Sequence, residues 1–154
     1  MHLLFLGTGA ADWPDPGVSV KNGRRFASLL LEQHILVDCG PMTLGAVEEF
    51  RVDVNQLTDI IIGHPHGDHF DFRTVCELAR RRQRQLAPLR LHINAVATPR
   101  ATPPPELLGR LVTVPYSPGE TLTCPELTVQ ALTANHNCDY GEKAAHLLFT
   151  NAAG

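Results

Sequence analysis

Most hydrophobic positions of this chain fall in short runs that glycine, proline or polar residues separate. The early runs are three to seven residues long and rich in Leu, Ile, Phe and Val, which predicts buried strands at 3–6, 26–32, 35–37, 57–62 and 89–93. After residue 110 the pattern stays strand-like, and we predict further strands at 111–114, 120–123, 127–132 and 145–149. A tight turn near Gln33 and His34 is expected to join the second and third strands.

Two helices are predicted between these strands. The first covers 42–50 and follows Pro41, a residue typical of helix starts. The second runs from the N-cap Asp71 to about Gln85, and its apolar positions share one face. A proline-rich connector at 102–105 leads to one helical turn at 106–108. This order of elements predicts one mixed α/β domain over residues 1–154.

Composition narrows the class of protein. The chain has 154 residues and a net charge of −3, which gives no overall electrostatic attraction for nucleic acid or anionic membranes. Its four cysteines form no C-x-x-C pair, which argues against a disulfide scaffold and fits a reducing compartment. The run at 3–6 is too short for a signal peptide, and no run approaches the length of a membrane span. We expect no membrane association and a cytoplasmic location.

The candidate chemistry lies in the run His64-Pro65-His66-Gly67-Asp68-His69. In an extended segment, residues 64, 66 and 68 point the same way, so their side chains converge. His69 faces differently and is placed to serve a neighbouring ion. Imidazole and carboxylate ligands suit zinc, with manganese and iron as alternatives. Gly67 is expected to permit a sharp turn; the competing interpretation is a polar loop in which histidines coincide.

An H-x-H-x-D-H pattern after an apolar strand resembles the metallo-β-lactamase superfamily. The resemblance extends to Leu-Gly-Thr-Gly-Ala at 6–10, Val-Asp-Cys-Gly at 37–40, and the strand and loop at 57–69. The Gly-Thr-Gly opening is similar to that of the ribonuclease Z and cyclic phosphodiesterase branches. The resemblance implies an αββα sandwich.

Residue by residue, the resemblance implies two zinc sites in the complete fold. His64 and His66 would bind the first ion, and Asp68 and His69 the second. His136, which follows the predicted strand at 127–132, would be the next ligand. Asp68 would also take part in catalysis, and Asp38 would steady a metal-binding histidine.

Two ligands that the superfamily supplies, a bridging aspartate and a last histidine, lie beyond this sequence. Residues 150–154 look like a hairpin turn whose return strand is missing. We therefore expect an N-terminal portion of the fold, incomplete at its C-terminus. The alternatives are a partner that completes the site or a site that binds one metal.

These observations predict a metal-dependent hydrolase that uses a metal-activated water, with phosphodiester bonds as the first choice of substrate. A lactone, thioester or β-lactam hydrolase is the alternative enzyme. A non-catalytic metal-binding module or inactive relative is the alternative of another class. The expected partner is a small-molecule or nucleotide-type substrate. Nucleic acid is an alternative that the net charge does not support, and a homo-oligomer stays open.

An arginine-rich segment near the end of the second predicted helix has two interpretations. It contains Arg80, Arg81, Arg82 and Arg84. Cations there complement the helix dipole, or they form a patch that contacts phosphate or RNA. Four other histidines lie in or beside strands and are expected to be structural: His2, His34, His92 and His146. Cys138 is expected to be a bystander.

Overall fold

A computed structural model of the chain describes residues 2–9, 24–137 and 143–151. It has a mixed α/β architecture, as predicted. The first six strands are β1 Leu3–Gly7, β2 Ser28–Leu31, β3 Ile35–Val37, β4 Asp59–Ile61, β5 Leu89–Asn94 and β6 Leu111–Tyr116. The later strands are β7 Thr121–Cys124, β8 Leu127–Asn137 and β9 Lys143–Asn151, and the helices are α1 Thr43–Glu49 and α2 Phe72–Arg81. Three 3₁₀ segments cover Val54–Gln56, Ala95–Ala101 and Pro105–Leu107.

The strands form two sheets. In the larger sheet the strands lie in chain order from β1 to β6, and the smaller sheet has the order β7-β8-β9. Strands β1 to β3 pair antiparallel, whereas β3 to β6 pair parallel. The carboxyl ends of the parallel strands therefore share one edge, where α/β sheets commonly place their sites.

Alternate residues of the central strands face two different cores. Leu36 and Ile60 belong to a core that includes both helices, whereas Ile35 and Ile61 belong to a core shared with the smaller sheet. This alternation follows from the two-residue period of a strand. The central strands are buried on both faces, which explains the uninterrupted isoleucine run at 60–62. The described residues thus form three layers: helices, larger sheet and smaller sheet.

Several predicted boundaries were wrong. Helix α2 begins after the predicted N-cap Asp71, whose carboxylate accepts from the backbone of Arg73 and Thr74, but it ends at Arg81 instead of near Gln85. Arg82 has an extended backbone, and its guanidinium donates to the carbonyl of Ala87, which turns the chain inward. Strand β4 is shorter than predicted because 54–56 form a 3₁₀ turn capped by Asp53. The 3₁₀ segment Ala95–Ala101 was not predicted.

Strand β8 is longer than predicted. It continues five residues past Leu132, to Asn137, because β9 pairs along most of its length. The register shifts between Thr133 and Asn137, which marks an irregularity close to His136. This extension brings the far end of the β8–β9 hairpin to the edge where β4 ends.

Candidate metal centre

The loop after β4 is held at the carboxyl edge of the larger sheet by backbone hydrogen bonds. The amide of Ile62 donates to the carbonyl of His92 at 2.9 Å, and the amide of Gly63 donates to Asp38 Oδ1 at 2.9 Å. The carbonyl of Gly63 accepts from the amide of Ala145 in β9 at 2.8 Å. The loop that carries the candidate ligands, residues 64–69, is called the metal loop below. It starts at a point that hydrogen bonds from both sheets hold in place.

Three imidazoles converge at this edge. One nitrogen of each of His64, His66 and His136 lies within 4.8 Å of the others. The contact between His136 Nε2 and His66 Nδ1 is 3.4 Å, although the two residues are 70 positions apart. His136 was expected in a loop after its strand, but it lies within β8 because the β8–β9 pairing continues beyond it.

A second group shares His64 with the first. Ligand atoms of His64, Asp68 and His69 also lie within 4.8 Å of one another. His69 Nε2 is 3.2 Å from Asp68 Oδ2, and the ring centroids of His64 and His69 are 4.0 Å apart. All five residues predicted from the histidine motif and from residue 136 therefore lie around one spot, with His64 between the two groups.

Asp38 links the end of β3 to this cluster. Its Oδ2 lies 2.6 Å from His69 Nδ1, while its Oδ1 accepts from the Gly63 amide. A carboxylate partner makes Nδ1 the donor, which leaves Nε2 of His69, 3.2 Å from Asp68 Oδ2, as the ring nitrogen available to a metal ion. Asp38 adopts a φ of 58°, a left-handed conformation that is uncommon outside glycine and often marks functional sites.

The electrostatics of the site shift the pKa values of two of its half-buried histidines, His64 and His69, in opposite directions. Burial, together with the charge of His69, lowers the pKa of His64 to about 4. That imidazole is therefore neutral at pH 7, the form that binds metal. Burial also acts to lower the pKa of His69, but the hydrogen bond and charge of Asp38 and the charge of Asp68 outweigh it and raise the pKa.

The metal loop is also fixed against the segment after β3. The amide of Cys39 donates to the carbonyl of His69 at 2.7 Å, and the amide of Asp71 donates to the carbonyl of Cys39 at 2.8 Å. A Cβ atom on Gly40 would lie 2.0 Å from the carbonyl oxygen of Asp68, so only glycine fits there. A turn begins at Gly67, as predicted, but it does not require glycine, because Gly67 has no positive φ and a Cβ there meets nothing within 4 Å.

A third cluster lies deeper, between the sheets. It consists of Asp59, His92 and Cys124, all buried and mutually within 4.8 Å. Asp59 already accepts from His92 Nε2 at 2.6 Å and from Arg90 at 2.8 Å. Burial and the charge of Asp59 raise the pKa of Cys124 to about 12, so its thiol is protonated at neutral pH. We interpret this cluster as a structural network, in agreement with the expectation for His92.

Much of the arginine-rich segment is neutralised by ion pairs. Arg80 pairs with Glu106 at 2.8 Å, and Arg81 pairs with Glu48 at 2.6 Å and with Glu77 at 3.0 Å. These contacts weaken the interpretation of a phosphate-binding patch on α2.

Sequence reasoning missed two residues that contact the segment after β4, Arg100 in the crossover between β5 and β6 and Tyr116 at the end of β6. The hydroxyl of Tyr116 donates to the carbonyl of Ile62 at 2.7 Å, and Arg100 Nη2 donates to the carbonyl of Pro65 at 2.7 Å. The predicted glycine loop contributes as well, since Thr8 and Asp38 line one cavity of about 250 Å³. Cys138 lies outside the described residues.

The donor set fits a divalent metal ion. It offers three imidazoles in one group and two imidazoles with a carboxylate in the other, and these are ligands that zinc accepts. The Asp38 carboxylate contacts Nδ1 of His69, a candidate ligand, and such a contact at the second ring nitrogen is typical of histidines in protein metal sites.

Comparison with known proteins places this geometry in context. Residues 33–150 match the family described as the beta-lactamase superfamily domain. Ribonuclease Z of Saccharolobus solfataricus is 32% identical over 72 residues, which is 45% of this chain and 22% of that protein. Human zinc phosphodiesterase ELAC protein 1 is 38% identical over 71 residues, which is 46% of this chain and 18% of that protein.

Solved structures share the fold at low sequence identity. The metallo-beta-lactamase fold protein YhfI from Bacillus subtilis superposes with a TM-score of 0.73 at 17% identity, covering 96% of this chain and 58% of that chain. Human tRNase Z, short form, superposes with a TM-score of 0.65 at 20% identity, covering 98% of this chain and 64% of that chain. A diphosphatase of the PhnP family superposes with a TM-score of 0.66 at 14% identity, covering 96% of this chain and 61% of that chain.

The chain spans less than two thirds of each of these structures and about a fifth of the curated relatives it matches. Neither α-helix in the described ranges has the length and apolar character needed to cross a bilayer. The expectation of a cytoplasmic location stays a prediction.

Proposed function

Because the chain belongs to the metallo-β-lactamase superfamily, we propose that it carries the metal-binding part of a metal-dependent hydrolase that acts on phosphodiester bonds. Membership of the superfamily supports a divalent-metal hydrolase at the coarse level. The observation that carries the proposal is the convergence of His64 and His66, from the loop after β4, with His136, from strand β8.

In this proposal His64, His66 and His136 hold one ion, and Asp68 and His69 contribute to a second. Zinc is the first choice for both, with manganese or iron as alternatives. When bound, such an ion acts as a Lewis acid that makes hydroxide available at neutral pH and offsets negative charge in the transition state. Asp68 orients the attacking water through its carboxylate, and Asp38 holds His69 in the tautomer that leaves Nε2 free to bind.

A phosphodiester substrate is supported by the names of the relatives. Ribonuclease Z and zinc phosphodiesterase match at 32% and 38% identity, and the matching alignments cover nearly half of this chain. A small-molecule or nucleotide-type phosphodiester fits the chain's net charge of −3 better than a long nucleic acid does. A lactone, thioester or β-lactam substrate is the competing proposal within the same fold.

Hydrolysis of bis-p-nitrophenyl phosphate by the protein, expressed to the full length of its coding frame and loaded with zinc or manganese, tests the proposal. We expect turnover that chelation removes and that His66→Ala abolishes. His146→Ala is the matched control, because His146 is an exposed histidine on β9 outside the cluster, and it should retain activity.

Two results would count against specific parts of the proposal. Cleavage of lactones or thioesters without any phosphodiester turnover would overturn the substrate class and leave the metal site standing. Metal binding without turnover of either class would favour the non-catalytic alternative.

A further inference from the structure

Arg100 contacts the metal loop from the crossover between β5 and β6. It lies in the 3₁₀ segment Ala95–Ala101, which follows β5, and its Nη2 donates to the carbonyl of Pro65 at 2.7 Å. Its guanidinium also lies over the ring of Phe70, 5.8 Å from the centroid. Pro65 separates His64 from His66, and Phe70 directly follows His69, so one side chain contacts the loop at both ends.

The segment that carries Arg100 is itself anchored. The side chain of Asn94 accepts from the amide of Val96 at 3.0 Å, which caps the start of the segment. The hydroxyl of Thr113 in β6 donates to the carbonyl of Ala101 at its end. Arg100 therefore extends from a fixed backbone, and the position of its guanidinium is set by the sheet.

The carbonyl of Pro65 lies in the backbone between His64 and His66, so its position affects both candidate ligands. Proline has no amide hydrogen, so the carbonyl is the only backbone hydrogen-bonding group that Pro65 itself offers. That carbonyl is part of the peptide unit that joins Pro65 to His66. Rotation of that peptide would turn the backbone between His64 and His66, whose imidazoles belong to the same candidate group. A charged donor at 2.7 Å is a strong hydrogen bond and resists this rotation.

We propose that Arg100 is a positioning residue for the metal centre, which holds the His64-Pro65-His66 backbone in the conformation that binds the ion. The inference rests on the proposed function, since it presupposes a metal at the histidine cluster. Partners that orient ligands commonly change metal affinity by about 10- to 100-fold when they are removed.

The sign of the effect separates positioning from simple electrostatics. Arg100 places a positive charge beside a site for a cation, so removing that charge should strengthen metal binding by Coulomb's law. A positioning role predicts the opposite, because the ligand backbone loses its support. A purely structural role predicts a lower melting temperature of the metal-free protein with unchanged metal affinity.

Zinc affinity, measured by competition with a chromophoric chelator on the full-length protein, tests the proposal. We expect Arg100→Met to weaken zinc binding by about tenfold, and Arg100→Lys, which keeps one charged donor, to recover part of that loss. The Co²⁺-loaded Arg100→Met protein should also show an altered visible absorption spectrum. Arg84→Met is the control, because Arg84 is exposed on the loop after α2 and should leave affinity and spectrum unchanged.

The outcomes distinguish this inference from the function on which it rests. If the wild-type protein binds no metal, the proposed function and the role of Arg100 both fail. If the wild-type protein binds zinc and Arg100→Met binds it equally or more tightly, the role of Arg100 is overturned while the proposed function stands. A raised KM with unchanged zinc affinity would likewise overturn positioning and indicate substrate contact.

Discussion

Asp38 connects the backbone that follows strand β4 to a candidate ligand through its side chain. Its two carboxylate oxygens accept from different donors, the Gly63 amide and the His69 ring. An amide side chain has one acceptor oxygen and therefore satisfies only one of them.

Asp38→Asn tests this role. Asparagine tolerates the left-handed backbone that Asp38 adopts, so the substitution changes chemistry more than conformation. We expect zinc affinity to fall by about 10- to 100-fold, because His69 loses its orienting partner. Isothermal titration calorimetry with zinc measures the change in affinity.

The matched control is Asp53→Asn, since Asp53 accepts only locally, from Asn55, at the start of a 3₁₀ turn. Equal zinc affinity in wild type and Asp38→Asn would show that Asp38 does not orient His69.

At this scale, the convergence of His64 and His66 was predictable from spacing, because alternate residues of an extended segment point the same way. Spacing also grouped Asp68 with both of them, whereas the turn at 67–69 places Asp68 with His64 and His69. Asp38 and His136 were predictable only from family resemblance. Arg100 and Tyr116 were not predictable, because their contacts cross 35 and 54 residues of chain. Such contacts depend on strand register, which the pattern of apolar residues does not specify.

At the scale of elements, the turn after β3 and the metal loop fit together through one glycine. A Cβ on Gly40 would lie 2.0 Å from the Asp68 carbonyl oxygen and 2.8 Å from its carbonyl carbon, so backbone would have to move. That carbonyl belongs to a candidate ligand, and the displacement would reach the site.

Gly40→Ala is therefore expected to lower the free energy of unfolding by about 2 kcal/mol, within the range for overpacking, and to reduce bound zinc. Gly67→Ala is the matched control in the same loop region, because a Cβ there meets nothing within 4 Å. Urea unfolding and zinc content of both variants measure the difference. Similar behaviour of the two variants would contradict the packing described for Gly40.

Element types were predictable over most of the described chain, since the apolar runs and the Asp71 cap have clear local causes. The residues at which elements end were less predictable than the element types. Strand β8 continues past its apolar run because β9 supplies hydrogen bonds, and α2 ends early because the Arg82 side chain finds an internal acceptor. The first cause is a tertiary pairing, and the second is a side-chain contact across five residues that the apolar pattern does not specify.

At the scale of the whole molecule, the buried network around Asp59 joins the two sheets below the metal edge. Burial raises the pKa of Asp59, but hydrogen bonds from His92 and Arg90 outweigh burial and hold its pKa below the ordinary value. Its stabilisation is therefore present above the unfolded pKa of about 3.9 and declines as pH falls through the lower folded value.

Asp59→Asn should lower the free energy of unfolding by about 2 kcal/mol at pH 7, because hydrogen bonds to a charged group are lost. The difference from wild type should stay constant from pH 7 to 5 and shrink below about pH 4. Urea unfolding in the presence of a chelator measures it without a contribution from bound metal. A difference that does not shrink in acid would contradict the ionised state assigned to Asp59.

The central claim is that imidazoles from the loop after β4 and from β8 bind the same ion. X-ray absorption spectroscopy of the zinc-loaded protein at the zinc edge tests this claim most directly. We predict imidazole scattering with zinc–nitrogen distances of about 2.0–2.1 Å, and the loss of one imidazole in His136→Gln but not in His146→Gln. A zinc spectrum without imidazole ligands, or one that His136→Gln leaves unchanged, would contradict the claim.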